Sequence, residues 1–123
     1  IKNIYELQTD ATKDVKLIFE ELKKMPKKTV YSDSGAIGHF LFYSKFEEEE
    51  NYRPLDYRSC EELKDSYVVI NATRGWIEFP PMLKTYPSCV FERPDNWILV
   101  ETIKSDANSY PYNLYDPQIF YVS

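Results

Sequence analysis

Residues 28–44 read KTVYSDSGAIGHFLFYS, and this stretch decides the fold class. Val30 and Tyr31 favour a short strand, because β-branched and aromatic side chains pack well on a sheet. Asp33 or Ser34 then offers a side-chain oxygen that can cap the first turn of a helix. Apolar residues at positions 37, 40 and 41 follow at helical spacing. A strand, a polar turn and a helix form the unit of an α/β fold, in which ligands bind at the carboxyl ends of the strands.

The rest of the chain alternates helical and strand patterns between proline and polar turns. An apolar stripe predicts a first helix that Pro26 ends, and Ser59 with Glu62 has the spacing of a capping box. The run YVVIN is apolar enough for a central strand covered on both faces. The predicted elements are helix Thr9–Met25, strand Thr29–Ser32, helix Ser34–Phe46, edge strand Tyr52–Asp56, strand Tyr67–Asn71, a hairpin of Cys89–Glu92 with Trp97–Ile103, and strand Gln118–Val122.

This order of elements predicts an α/β protein. More specifically, it predicts a three-layer sandwich whose sheet is mostly parallel and Rossmann-like, with antiparallel edge strands. The length of 123 residues suits one domain. We expect residues 9–123 to form that domain. The chain begins at Ile1 without a methionine, so we expect residues 1–8 to lead in from an upstream segment.

The charge balance argues against a nucleic-acid partner. Asp and Glu number 20 and Lys and Arg 15, giving a net charge of −5, whereas nucleic-acid binding needs clustered cations. Four lysines do cluster around Pro26, but a helix C-terminus attracts cations and explains them. No run approaches the ~20 apolar residues of a membrane-spanning helix.

Two cysteines and one sequon bear on location. Cys60 and Cys89 are compatible with one disulfide or with two buried thiols. No CxxC spacing is present, so we predict no metal site. The tripeptide Asn71-Ala72-Thr73 is a glycosylation sequon, which makes Asn71 a candidate glycosylation site. Together these features favour an extracytoplasmic location.

A candidate ligand site follows from the predicted parallel sheet. The segment after strand Tyr67–Asn71 would lie beside the turn after strand Thr29–Ser32, at one edge of the sheet. Arg74 could hold an anion, and Trp76 could stack on a sugar ring or pack in the core. The candidate ligand-binding residues are Asp33, Ser34, Asn71, Thr73, Arg74 and Trp76.

The same site offers no recognisable catalytic group. The glycines at 35 and 38 match neither GxGxxG nor a phosphate-binding loop. His39 lies five residues after Ser34, and this spacing places the two side chains on different faces of a helix. We therefore predict a binding rim with no catalytic residue and no cofactor. Whether the chain alone is an enzyme stays open.

Several segments together resemble a known class of domain. A helix ending in KKMPKK leads into TVYSDSGAIGHFLFYS, and EELKDSYVVIN and NWILVETI follow. This order resembles the C-terminal domain of polytopic membrane glycosyltransferases that use dolichyl-phosphate-mannose or related lipid-linked sugars. The resemblance implies an α/β domain on the extracytoplasmic face of the membrane. Upstream transmembrane helices, absent from this chain, would tether it there.

The resemblance also implies the partners. These are the membrane-spanning portion of the same polypeptide and a glycan or lipid-linked sugar. Catalytic acids of such enzymes lie between membrane helices, so no catalytic residue carries over to this chain.

Three hypotheses about function stay open at this stage. The first is a non-catalytic extracytoplasmic domain of a membrane glycosyltransferase that supports the membrane part or binds glycan or acceptor. The second is a free-standing enzyme or binding protein for a small anionic ligand at the Asp33, Asn71 and Arg74 crevice. The third is a protein-interaction module that uses the tyrosine-rich segment Tyr110–Tyr121.

Overall fold

The computed structural model describes residues 15–47, 49–70, 85–103 and 117–123 and gives an α/β fold, as predicted. Short 3-10 turns at Glu49–Asn51 and Glu61–Leu63 precede the second and third strands. The helices and strands are α1 (residues 15–23), β1 (Val30–Ser32), α2 (Ser34–Tyr43), β2 (Tyr52–Pro54), β3 (Ser66–Ile70), α3 (Cys89–Glu92), β4 (Trp97–Thr102) and β5 (Gln118–Val122).

The five described strands form one mixed sheet in the order β2-β1-β3-β5-β4. Strand β1 runs parallel to both β2 and β3. Strand β5 is antiparallel to both β3 and β4. The sheet is therefore parallel on one side and antiparallel on the other, with two pairings of each kind.

Side chains on the two faces of this sheet enter two separate core clusters. Strand β3 contributes Tyr67 and Val69 to the first cluster and Val68 and Ile70 to the second, because successive side chains alternate across a sheet. Helices α1 and α2 cover the first cluster, while α3 and the turn Glu61–Leu63 contribute to the second. All five residues of β3 are buried, as its apolar run predicts for a central strand.

Local signals of the sequence appear in the structure with their expected bonds. The backbone N–H of Glu62 donates to Ser59 Oγ over 3.2 Å, and the Ser59 N–H donates to Glu62 Oε1 over 3.1 Å. This reciprocal pair confirms the predicted capping box. Strand β2 lies at the edge of the described sheet and ends at Pro54, as expected for a proline that donates no ladder hydrogen bond.

The predicted hairpin between Cys89–Glu92 and Trp97–Ile103 is wrong. Cys89–Glu92 is the short helix α3, which ends at Arg93 in the left-handed conformation with φ 47°. Strand β4 instead pairs with β5, in a register that runs from Trp97 opposite Val122 to Thr102 opposite Gln118. Burial of Cys89 and Val90 against the second cluster holds α3 as a helical turn.

Helix α2 ends three residues earlier than predicted. Ser44 is its C-cap, and the next two residues take positive φ values, 57° at Lys45 and 61° at Phe46. The N–H of Phe46 donates to the Leu41 carbonyl over 2.8 Å, and the N–H of Lys45 donates to the Phe42 carbonyl over 3.0 Å. These two bonds form a Schellman motif, which satisfies the last carbonyls without the usual glycine.

Candidate functional site

The parallel side of the sheet creates a defined edge where β1, β2 and β3 all end. From β1 the chain passes through α2 to β2, which lies on one side of β1. Strand β3 lies on the other side of β1, and the chain after it continues to β4 and β5 farther in that direction. Open α/β sheets bind ligands at such a change of direction, outside the carboxyl ends of the strands. We call the surface formed here by Asp33, Asp56, Thr85 and Tyr86 the carboxyl edge.

Asp33 follows β1 and caps α2. Its Oδ2 accepts a hydrogen bond from the Ala36 N–H over 3.1 Å, and its carbonyl accepts from the Ile37 N–H over 3.0 Å. The buried Ser32 hydroxyl donates to the Val69 carbonyl over 2.9 Å and so ties β1 to β3 beside this cap. These bonds confirm that Asp33 is a helix cap, and they fix its carboxylate at the carboxyl edge.

Asp56 occupies the corresponding place after β2. The Leu55 N–H donates to the Ser32 carbonyl over 2.8 Å, which extends the β1–β2 pairing up to Asp56. The Thr85 hydroxyl donates to Asp56 Oδ1 over 2.7 Å, and the Tyr57 N–H donates to the Thr85 carbonyl over 2.7 Å. Two bonds therefore hold residue 85 against the loop that follows β2.

Tyr86 lies next to both acids. Burial raises the pKa of its hydroxyl well above the ordinary value, and the charges of Asp33 and Asp56 raise that pKa further. Its ring packs against the second core cluster. The Tyr86 hydroxyl is consequently a neutral hydrogen-bond donor and acceptor across the physiological pH range.

The described groups at the carboxyl edge suit hydrogen bonding more than bond cleavage. Carboxylates accept hydrogen bonds from hydroxyl and amine groups, and two of them together repel an anion. His39 lies on α2, where its ring stacks on Tyr43 with centroids 6.1 Å apart. Within the described residues, no group of three or more His, Cys, Asp or Glu side chains could hold a metal ion.

The structure accounts for only two of the candidate ligand-binding residues. Asp33 is at the carboxyl edge, and Ser34 is the first residue of α2. Asn71, the candidate glycosylation site, lies outside the described residues, as do Thr73, Arg74 and Trp76. The two strands after which these candidates were placed do lie side by side, because β1 and β3 pair in parallel.

Sequence reasoning missed Asp56, Thr85 and Tyr86. A usable signal existed for Asp56, because it lies at the end of the predicted strand Tyr52–Asp56, much as Asp33 follows the predicted strand Thr29–Ser32. Thr85 and Tyr86 reach the site through the fold alone, 29 residues beyond Asp56 in the case of Thr85. No local motif marks such a contact.

Part of the tyrosine-rich segment Tyr110–Tyr121 is described, namely residues 117–121. Ile119 and Phe120 are buried in the two core clusters. The Tyr121 hydroxyl donates to Asp65 Oδ1 over 2.8 Å. The described end of this segment is thus part of the sheet.

A disulfide joins Cys60 and Cys89, whose Cα atoms are 6.1 Å apart. Cys60 precedes the turn Glu61–Leu63, and Cys89 begins α3, so the bond links the two elements that cover the second cluster. The Cys89 N–H also donates to Cys60 Sγ over 3.4 Å. The disulfide therefore fixes α3 at its place on the sheet.

In comparisons with known proteins, no family model, curated protein or solved structure matches the chain. None of the helices in the described ranges combines the length and the apolar character that a membrane crossing requires.

Proposed function

We propose that this chain is a non-catalytic, extracytoplasmic domain of a membrane-bound glycosyltransferase. In this role it supports the membrane-spanning part of the same polypeptide or binds the glycan, the lipid-linked sugar or the acceptor. The proposal includes the finer description of the fold as a three-layer, Rossmann-like sandwich, which the core clusters on both faces of the sheet support.

The observation that carries the proposed location is the disulfide between Cys60 and Cys89. Disulfides persist in oxidising compartments and are rare in the cytosol, with intracellular proteins of hyperthermophiles as the main exception. The resemblance of the sequence to the outer domains of glycosyltransferases points to the same side of the membrane.

A topology experiment on the intact protein tests this proposal. Cells without their outer wall are treated with an external protease, and membranes washed at alkaline pH are probed for residues 15–123. We expect the chain to stay with the washed membranes and to be cleaved by external protease while a cytosolic marker survives. Release of the chain by the wash, or protection from the protease in intact cells, would contradict the proposal.

A second candidate function is the binding of a small ligand at the carboxyl edge. The convergence of Asp33, Asp56, Thr85 and Tyr86 where three parallel strands end favours it. An anionic ligand would need Arg74, which lies outside the described residues, because the described acids repel anions. Neutral sugars, whose hydroxyls donate hydrogen bonds to carboxylates, suit the described groups better.

Titration of the isotope-labelled protein with neutral monosaccharides tests this second function by NMR. We expect saturable shifts of the amide signals of Asp33, Asp56 and Tyr86, and weaker binding in Asp56→Asn. Asp95→Asn is the matched control, since Asp95 lies in the exposed turn before β4. Equal binding by both variants, or no shift with any sugar, would remove the carboxyl edge as a sugar site.

A further inference from the structure

A cavity lies at the end of the parallel strands opposite the carboxyl edge. Its volume is about 150 Å³, and the first residues of β1 and β2, Val30 and Tyr52, line it together with Tyr67 near the start of β3. The end of α1 and the loop that leads from it to β1 form its other side. This amino-edge cavity is separate from the carboxyl edge and shares no residue with it.

The lining of the amino-edge cavity is cationic. Lys23, Lys27 and Lys28 are among the lining residues, and none of the described lining residues carries a carboxylate. This composition contrasts with the chain as a whole, whose net charge is −5. The apolar side chains of Leu22 in α1 and Met25 just after it complete the wall beside the lysines.

Nearby negative groups neutralise only part of this charge. Lys28 Nζ lies 2.8 Å from Asp65 Oδ1, which compensates one lysine. The C-terminus of α1 adds roughly half a negative charge. Lys27 is exposed and makes no hydrogen bond or ion pair with any part of the chain that the structure describes. Among the described residues, Lys27 therefore brings a positive charge to the cavity that is available to a ligand.

From this combination we propose that the amino-edge cavity binds a phosphate group. Lysine is a common phosphate ligand as a compact positive charge, and tyrosines in the wall can add hydrogen-bond donors. A cavity of about 150 Å³ accommodates one group of about the size of benzene. It falls below the roughly 300 Å³ of pockets for larger organic ligands, so it suits one phosphate group rather than a whole nucleotide.

The phosphate can come from a free phosphate compound or from a phospholipid headgroup. Both present the same anionic oxygens to the lysines. The apolar wall next to them accepts the first carbons of a phosphate ester. The binding experiment therefore has one arm for each source.

The first arm titrates the isotope-labelled full chain with inorganic phosphate and follows amide signals by NMR. We expect saturable shifts at residues 23–25, 27, 28, 51 and 67, and weaker binding as ionic strength rises. The substitution Lys27→Gln should reduce affinity about two- to fivefold, as for a partly exposed ion pair. Lys16→Gln is the matched control, because Lys16 is an exposed lysine on α1 that does not line the cavity.

The second arm measures co-sedimentation of the same three proteins with vesicles of phosphatidylglycerol and of phosphatidylcholine. Binding to phosphatidylglycerol vesicles that Lys27→Gln weakens and Lys16→Gln leaves unchanged assigns the phosphate to a lipid. The same pattern with inorganic phosphate alone assigns it to a free compound. Absence of binding in both arms, or equal loss in the two variants, would overturn the proposal.

Discussion

At the scale of single residues, Asp65, in the turn before β3, bonds through its side chain to two distant parts of the chain. Its Oδ1 accepts hydrogen bonds from Lys28 Nζ and from the Tyr121 hydroxyl, each over 2.8 Å. The bond from Lys28, followed by the bond from Tyr121, lowers the pKa of Asp65 below its ordinary value of 3.8. The same contact with Asp65 raises the pKa of Lys28 above 10.5.

These shifts set the pH dependence of the variant Asp65→Asn. Because the folded state lowers the pKa of Asp65, its stabilising effect is present above the unfolded pKa and is lost as the pH falls through the folded one. We expect Asp65→Asn to melt at a lower temperature than the parent at pH 7, with a difference that vanishes in acid. The difference should also shrink at alkaline pH as Lys28 loses its proton.

Thermal melts over a pH series measure this difference. Asn tolerates the positive φ of 59° at position 65, so the substitution isolates the charge. Asp95→Asn, which removes an exposed carboxylate, serves as the control. A constant difference between Asp65→Asn and the parent from acid to neutral pH would contradict the ion pair.

Asp33 provides a second prediction at this scale. Its side chain accepts the Ala36 N–H at the start of α2, so Asp33→Ala should lower the free energy of unfolding by about 1 kcal/mol. Asp33→Ser retains a capping oxygen and should recover most of that loss. Urea unfolding of both variants measures the effect, and equal stability of the Ala and Ser variants would show that the cap contributes nothing.

At the scale of elements, β3 and β4 differ in how much they contribute to stability. Val69 in β3 is fully buried, whereas Val100 in β4 is 41% exposed. We expect Val69→Ala to lower the free energy of unfolding by about 2 kcal/mol, because it removes buried carbons and leaves a cavity. Val100→Ala, the same change on an exposed strand, should stay within about 0.5 kcal/mol.

Denaturant unfolding of the two valine variants makes this comparison. A similar loss in both would mean that β4 is covered in solution and that β3 is not the centre of the core.

The sequence predicted the features whose signal is contained in a few consecutive residues. Three such features appear in the structure: the apolar run of β3, the Asp33 cap and the Ser59–Glu62 capping box. The α3 segment was missed because Cys89 and Val90 suit a strand as well as a buried helical turn, and only tertiary packing decides between the two. Tertiary packing also brings Thr85 and Tyr86 to Asp56. At the carboxyl edge, sequence therefore predicted Asp33 and could not predict Thr85 and Tyr86.

At the scale of the whole molecule, the disulfide stabilises the folded state by restricting the unfolded chain. It closes a loop between residues 29 positions apart, for which loop-closure entropy predicts about 3 to 4 kcal/mol. We expect the double variant Cys60→Ser/Cys89→Ser to lose about this much stability in urea unfolding. The parent treated with a reductant should show the same loss.

A control separates the loss of the disulfide bond from other effects of the serine substitutions and of the reductant. Cys89→Ser alone and the double variant should be equally unstable, and a reductant should change neither. If the reductant destabilised the double variant as much as the parent, the effect would not come from this bond.

The most direct test of the central claim, that this domain faces an oxidising compartment, is the state of Cys60 and Cys89 in living cells. Free thiols are trapped at once by acid, and the denatured intact protein is then labelled with a maleimide that adds mass, with and without prior reduction. We predict that neither cysteine is labelled until the protein is reduced and that both are labelled afterwards. Labelling of both cysteines without reduction would contradict the claim.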